Sequence, residues 1–352
     1  MLVNLSFVST KPTGLSTYAT NLIFHLQKLQ PTLLSSQKID DFDCYPVPAN
    51  LTPEDGSRGH LRRLLWTQRQ LPKISKQIRS PLLFSPIPEA PLFTDCRYIV
   101  TVHDLIPLRF AKVSPLTAYS RYYIPQVLKS AQHIICNSKA TAKDITHFFS
   151  IDPRKITPIL LAHDENNFRF LNLPKSNYFL YIGRQDPYKN LQRLITAFAA
   201  LPNYHKYQLW LAGTADARYT PVLQRLIDKL EITNYVKFLD YVSYRQLPIV
   251  INKAIALVFP SLWEGFGFPV LEAMACGTPV ITSKLSSLPE VAGEAAILIN
   301  PYSTEEICQA MQKIATCTET RSQLSQLGLN RVKEFSWYKT GQATVEILSR
   351  YI

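Results

Sequence analysis

The chain has 352 residues, 46% of them hydrophobic and 18% charged, with 38 Lys and Arg against 26 Asp and Glu for a net charge of +12. This composition excludes a disordered, collagen-like or repeat chain, and at ~100–200 residues per domain it predicts two domains. Glu264 and Glu272 interrupt the most apolar stretch, so no run reaches the ~18 residues of a membrane span, and six irregularly spaced cysteines without a C-x-x-C pair read as reduced thiols of a cytoplasmic protein.

In chain order, Leu2–Val8 reads as a buried strand and Leu15–Leu29 as a helix. Between them Pro12-Thr13-Gly14 offers one glycine before a helix whose amides could meet a phosphate, but G-x-G-x-x-G is absent. Asp41-Phe42-Asp43 matches a D-x-D pattern in a polar loop, and such triplets arise by chance, so no metal is assigned. Up to residue 168 the chain has 19 basic and 12 acidic residues, and the whole excess lies in Ser57–Pro88: Arg58, Arg62, Arg63, Arg69, Lys73, Lys76 and Arg79, with no acid. Leu61, Leu64, Leu65 and Leu71 recur there at helical spacing, which predicts an amphipathic helix with a cationic face. That helix reads either as ordinary surface or as a platform at 58–79 for anionic lipid headgroups or a phosphate-bearing acceptor. No aromatic-basic interleaving supports nucleic acid.

Strands at Leu82–Ser85, Tyr98–Val102 and His133–Cys136 alternate with helices at Thr117–Ala131 and Lys139–Phe149. His103-Asp104 follows a strand, where His103 could touch a substrate hydroxyl or be a satisfied strand-end residue, and Ser138 reads as a helix N-cap. After the irregular stretch Phe168–Lys175 a second series begins: strands Tyr178–Ile182, Gln208–Ala212, Val236–Phe238, Ala256–Phe259, Pro279–Thr282 and Ala296–Leu298, with helices between them. Two such series predict two doubly wound α/β domains with parallel sheets, Rossmann-like in kind, and ligands at the carboxyl ends of their strands in an interdomain cleft.

Glycine is scarce, 11 of 352 residues, so each one after a strand carries weight. Gly183-Arg184 and Lys189-Asn190 follow one strand, and the two cations suit a diphosphate or, standing alone, mere solvated surface. Pro260 to Gly277 follows another, with Gly265 and Gly267 allowing close backbone approach and Pro269 suited to the first position of a helix. Glu264 precedes that helix and Glu272 is expected in its first turn. The helix dipole explains Glu272 but leaves Glu264 and both glycines unexplained.

Glu264-Gly-Phe-Gly-Phe-Pro-Val-Leu-Glu272 with Gly183-Arg184, Lys189-Asn190, His103-Asp104, Leu288-Pro-Glu-Val291 and Phe335-Ser-Trp337 resembles the retaining family 4 glycosyltransferases of GT-B fold, over nearly the whole chain. The resemblance implies an acceptor-binding domain of residues 1–168 plus 337–352 and a nucleotide-sugar-binding domain of 169–336. It also implies a C-terminal helix crossing back to the first domain. Arg184 and Lys189 would grip the diphosphate after Gly183, Glu264 the donor sugar, Glu272 the ribose, and the backbone at Gly265, Phe266, Gly267, Phe268, Pro269 and Leu271 the sugar and phosphates. His103 would lie against the donor sugar, Gly14 near phosphate and acceptor, and Tyr241-Val242 near the base. At the first loop the family often has paired glycines where this chain has Thr13-Gly14.

The implied reaction is metal-independent hexose transfer with retention, without a cofactor, to a saccharide or lipid-linked acceptor in polysaccharide biosynthesis. A further likeness to cyanobacterial envelope or exopolysaccharide glucosyltransferases favours a UDP-sugar, UDP-glucose, over GDP-mannose. The protein is expected in the cytoplasm, peripheral on the inner face of the membrane through 58–79. A GT-B sugar-nucleotide epimerase or hydrolase, and a non-catalytic sugar-nucleotide sensor, are the competing readings.

Overall fold

A computed structural model describes residues 1–9 and 13–352. The chain divides into two compact units, Met1–Leu161 with Ser336–Ile352, and Ala162–Phe335. Among the described residues no helix is long and apolar enough to cross a membrane.

Among its described residues the first unit carries seven parallel strands, β1 (Leu2–Asn4), β2 (Thr32–Ser35), β3 (Asp43–Pro46), β4 (Leu83–Ser85), β5 (Tyr98–Val102), β6 (His133–Cys136) and β7 (Ile156–Pro158), in the order 3-2-1-4-5-6-7. Every residue of β1, β4, β5 and β6 is buried, as a parallel sheet covered on both faces requires. β2, β3 and β7 have no counterpart among the predicted strands. They are three or four residues long, and the edge strand β3 is part-exposed and polar, so its pattern is weak. Asp43 therefore begins an edge strand rather than lying in a loop, while Asp41 turns in the left-handed region at φ 67°.

The predicted helix Leu15–Leu29 is α-helical from Gly14 to Ile23 and continues as a 3-10 turn to Leu29. Gly14 is its first helical residue, not a loop residue. Thr13 caps it, its hydroxyl accepting from the Ser16 amide at 3.2 Å while the Ser16 hydroxyl accepts from the Thr13 amide at 2.6 Å. The closing helix Trp337–Ser349 packs within this unit, where the Thr340 hydroxyl donates to the Leu160 carbonyl at 2.8 Å. Gly341 makes that packing possible, since an added Cβ would lie 2.2 Å from Cβ of His25.

The basic segment Ser57–Pro88 is two helices, Gly56–Arg69 and Leu71–Ile78, followed by β4, with Pro72 at the second position of the second helix. Two expectations fail here. Leu61 and Leu65 are exposed, not part of a buried apolar face. Arg63 is buried at 5% exposure, not on the cationic face: it donates to both Glu89 carboxylate oxygens at 2.7 and 2.8 Å and to the Leu51 carbonyl at 2.9 Å. The acid lies one residue past the acid-free window, so composition within the window concealed the pairing.

The second unit carries β8 (Tyr178–Ile182), β9 (Gln208–Ala212), β10 (Val236–Leu239), β11 (Ala256–Phe259), β12 (Val280–Ser283) and β13 (Ile297–Ile299), all parallel, in the order 10-9-8-11-12-13. Strand order reverses between β1 and β4 in one sheet and between β8 and β11 in the other. Loops after such neighbours diverge to opposite faces and leave a crevice at the carboxyl ends.

Removing one partner of a buried ion pair strands the other in a poorly solvated site. Arg63→Ala is expected to cost about 3–5 kcal/mol, against under ~1 kcal/mol for Arg62→Ala, whose guanidinium is exposed and only 3.9 Å from Asp55. Urea unfolding of the two variants measures the difference.

Candidate functional site

The reversal between β8 and β11 brings two loops of the second unit together. β8 ends at Ile182 and Gly183 turns at φ 146°, where an added Cβ would lie 2.8 Å from the Tyr181 hydroxyl. That hydroxyl donates to the Arg184 carbonyl at 2.6 Å. A 3-10 turn, Pro187–Lys189, leads to Asn190, which has a left-handed φ of 66°. The Asn190 side chain donates through Nδ2 to the Pro260 and Pro301 carbonyls at 3.1 and 2.6 Å, tying this loop to the one after β11. Across that tie Lys189 Nζ donates to Glu264 Oε1 at 2.7 Å, with the two side chains 12% and 10% exposed. The rings of Tyr188 and Phe259 lie 5.2 and 5.3 Å from the ammonium. Arg184 has different surroundings: its side chain is 76% exposed, 3.2 Å from Asp186, and donates to the Tyr188 hydroxyl at 2.9 Å.

The Glu264 loop is pinned by two serines. Ser286 Oγ accepts from the Glu264 amide at 3.0 Å, and Ser287 Oγ reaches the carbonyls of Glu264 and Phe266 at 3.0 and 2.7 Å. Of the two glycines here only Gly267 has a positive φ, 120°, and a Cβ on it would press to 2.8 Å of a Leu288 methyl. Gly267 is the N-cap of the helix Phe268–Ala275, and no side chain caps that end. Two details depart from expectation. Pro269 takes the second helical position, because Phe268 already has helical geometry, and Glu272 falls in the second turn. At that depth Glu272 is screened from the dipole at the helix start, and the dipole does not account for it. Burial, and then the nearby Asp164 carboxylate, push its carboxyl up to about 8. Asp164 in turn accepts from the Tyr244 hydroxyl at 3.0 Å.

In the first unit, His103 follows β5 and its Nε2 lies 2.8 Å from the Pro86 carbonyl in the loop after β4. A carbonyl only accepts, so Nε2 carries the proton and Nδ1 the lone pair. Burial pushes the ring down to about 4, which keeps it neutral near pH 7. Tyr18, on the helix that Gly14 begins, stands edge-on to His103 with ring centroids 4.8 Å apart, and its hydroxyl lies 3.1 Å from that of Thr101. The two first-unit candidates, Gly14 and His103, thus sit on elements that touch.

Tyr241 and Val242 follow the edge strand β10 of the same sheet. They line a groove of about 550 Å³ along the edge strand β10, with Trp210, Lys237 and Ile249, and its lining includes neither Lys189 nor Glu264. Gly213, Ser286, Ser287, Asp164 and Tyr244 were not singled out from the sequence. Gly213 had a readable signal, a scarce glycine directly after a strand. It turns at φ 153°, and a Cβ there would lie 2.1 Å from the Gly183 carbonyl oxygen. The serines and Asp164 had none, because their partners are 21 to 80 residues away in sequence.

Two family profiles together span most of the chain: Glycosyl transferases group 1 matches residues 163–331, and Glycosyltransferase Family 4 matches residues 12–165. The chain is 28% identical over 326 residues to the O-antigen chain mannosyltransferase RfbU of Salmonella typhimurium, covering 89% of this chain and 90% of that protein. It is 29% identical over 264 residues to the O-antigen chain mannosyltransferase B of Escherichia coli, covering 71% and 69%. Among solved structures, sucrose-phosphate synthase from Thermosynechococcus elongatus superposes with a TM-score of 0.78 at 18% identity, covering 99% of this chain and 98% of that one. Anabaena HepE in complex with UDP and glucose gives 0.76 at 18% identity, covering 99% of both. The profiles, the two reversed parallel sheets and these structural neighbours make the chain a family 4 glycosyltransferase of GT-B fold.

Proposed function

We propose that the enzyme moves a hexose, with retention at the anomeric carbon, from a nucleotide sugar to a saccharide or lipid-linked acceptor in polysaccharide assembly, and that its basic segment 58–79 contacts an anionic membrane. The observation that carries the transfer reading is the buried Lys189–Glu264 pair at the carboxyl ends of β8 and β11, with Arg184 exposed beside it. In this reading Arg184 and Lys189 take the diphosphate, Glu264 the donor sugar and Glu272 the ribose. The backbone around Gly183 and from Gly265 to Leu271 lies against phosphates and sugar. The C1–O bond to the diphosphate breaks as the acceptor oxygen bonds to C1 on the same face, and the acceptor proton passes to the departing phosphate oxygen. Arg184, Lys189 and the uncapped start of the helix Phe268–Ala275 stabilise the charge that develops there. His103, neutral with its Nδ1 lone pair available, accepts from a sugar hydroxyl.

For the hexose, the mannosyltransferase relatives at 28% and 29% identity favour mannose, with GDP-mannose as donor ahead of UDP-glucose. The likeness to HepE, at 18% identity, speaks to the fold.

Lys189→Gln and Glu264→Gln, chosen because the glutamine amide keeps a polar group within reach of the remaining charge where alanine would leave none, are each expected to lower transfer at least ~100-fold with the far-UV circular dichroism unchanged. Near-normal turnover by either overturns the assignment. In a donor screen by thermal shift, GDP-mannose at 100 times its Kd is expected to stabilise by about 2.7 kcal/mol, while UDP-glucose leaves the midpoint in place; the opposite pattern returns glucose to the site.

Glu272 supplies a pH test. Its carboxyl is held up to about 8 in the folded chain from an ordinary value of 4.5. Between those values the folded state keeps a proton that the unfolded state has lost, so this group's stabilising contribution is full below pH 4.5 and fades as pH rises through about 8. Glu272→Gln is expected to be more stable than the native enzyme at pH 8–9, no more stable at pH 5, and weaker in donor binding at pH 8–9, where the native carboxylate ionises. Donor affinity of the native enzyme is expected to rise with pH through about 8, as the ionised carboxylate becomes the better acceptor for ribose hydroxyls. Titration calorimetry and thermal melts over that range measure both.

A further inference from the structure

Burial sorts the first unit's basic helix into two sides. With Arg63 turned inward, the exposed positions of Gly56–Arg69 include Arg58, Leu61, Arg62, Leu65 and Arg69. Their spacing of three, four, seven and eleven residues from Arg58 puts them on one stripe of the helix. Leu61 is 58% and Leu65 46% exposed. Exposed leucines set among arginines, with no acid from Gly56 to Pro88, are an unusual surface for a helix that had a core to face. The following helix, Leu71–Ile78, adds exposed Lys73 and Lys76.

A second element stands beside that stripe. Gln68, one turn on from Leu65, accepts from the Leu92 amide at 2.8 Å and donates to the Ala90 carbonyl at 3.1 Å, which fixes the loop of residues 90–95 against the helix. The next residue in that loop, Phe93, is 98% exposed and held at φ 54°. A bulky side chain in the left-handed region is strained, and this one recovers nothing by packing in the folded chain. An aromatic presented this way, against a helix carrying exposed leucines and arginines, gains contacts only from an apolar phase outside the protein.

We propose that Leu61, Leu65 and Phe93 insert into the acyl boundary of an anionic bilayer while Arg58, Arg62, Arg69 and the lysines after them meet its headgroups. This deepens the membrane contact of the proposed function and rests on it: the surface binds by apolar insertion as well as by charge. The favoured occupant is a lipid surface because charge and apolar groups alternate along one stripe, the pattern of helices that lie in the headgroup plane. An arginine face without the leucines and phenylalanine would bind by charge alone and detach in salt.

Co-sedimentation with vesicles of one-third phosphatidylglycerol in phosphatidylcholine, in low and in about 0.5 M salt, separates the two contributions. The native enzyme is expected to bind in low salt and to keep a measurable fraction bound in high salt. Leu61→Gln/Leu65→Gln and Phe93→Ser are each expected to lower the high-salt partition about tenfold or more while retaining low-salt binding. Arg58→Gln/Arg62→Gln/Arg69→Gln is expected to lose the low-salt excess. Native-like binding by both apolar variants in high salt, or complete release of the native enzyme there, overturns insertion and leaves an electrostatic contact. Failure of the native enzyme to bind in either salt overturns the membrane reading as well. All substituted side chains are exposed, and thermal melts matching the native enzyme confirm that folding does not account for a loss.

Discussion

The Lys189–Glu264 ion pair depends on a constraint set by the whole second sheet. Two charges that are nearly excluded from water are costly unless they meet each other in good geometry. They meet because β8 and β11 are neighbours at the point where strand order reverses, although 75 residues separate the two side chains in sequence. Everything around the pair serves that meeting. Gly183 and Gly213 let the loop after β8 turn close to its neighbour, the Asn190 side chain ties it to the loop after β11, and two serines hold Glu264 from the other side. A one-residue change in either loop would move a charge off its partner while keeping it out of water.

The same physics sorts the basic residues of the first unit. Arg62 and Arg63 are adjacent and chemically identical, yet one is solvated and the other forms a two-pronged bond to a buried glutamate. The buried pair cross-links the helix Gly56–Arg69 to the loop after β4, and Pro86 of that loop holds the His103 ring. The helix whose outer stripe faces solvent is therefore fastened, through its inner face, to the neighbourhood of a candidate site residue. His103 and Glu272 show how such neighbourhoods tune charge: burial keeps the imidazole neutral and holds the carboxyl protonated up to about pH 8, each by penalising its charged form.

Much of the fold was legible because it rests on local pattern. Long buried strands such as Tyr98–Val102 and Tyr178–Ile182 announce themselves as unbroken apolar runs, and the alternation with helices implies parallel, doubly wound sheets. The glycines after strands, and the paired glutamates eight residues apart, were legible for the same reason: close backbone approach and helix start are properties of a few consecutive residues. Short strands at the sheet edges were not legible, since three or four residues such as those of Asp43–Pro46 carry too little periodicity to stand out.

What the amino-acid order determined by itself was the succession of strands and helices, the position of the candidate residues just past strand ends, and the excess of positive charge in one segment. Tertiary structure alone decided which charges share a partner, which leucines of an amphipathic pattern face inward, and that Glu272 lies deep enough to hold its proton. Pairing and burial are set by residues tens of positions away, brought near by sheet order, whereas periodicity and turn chemistry are complete within a few neighbouring residues.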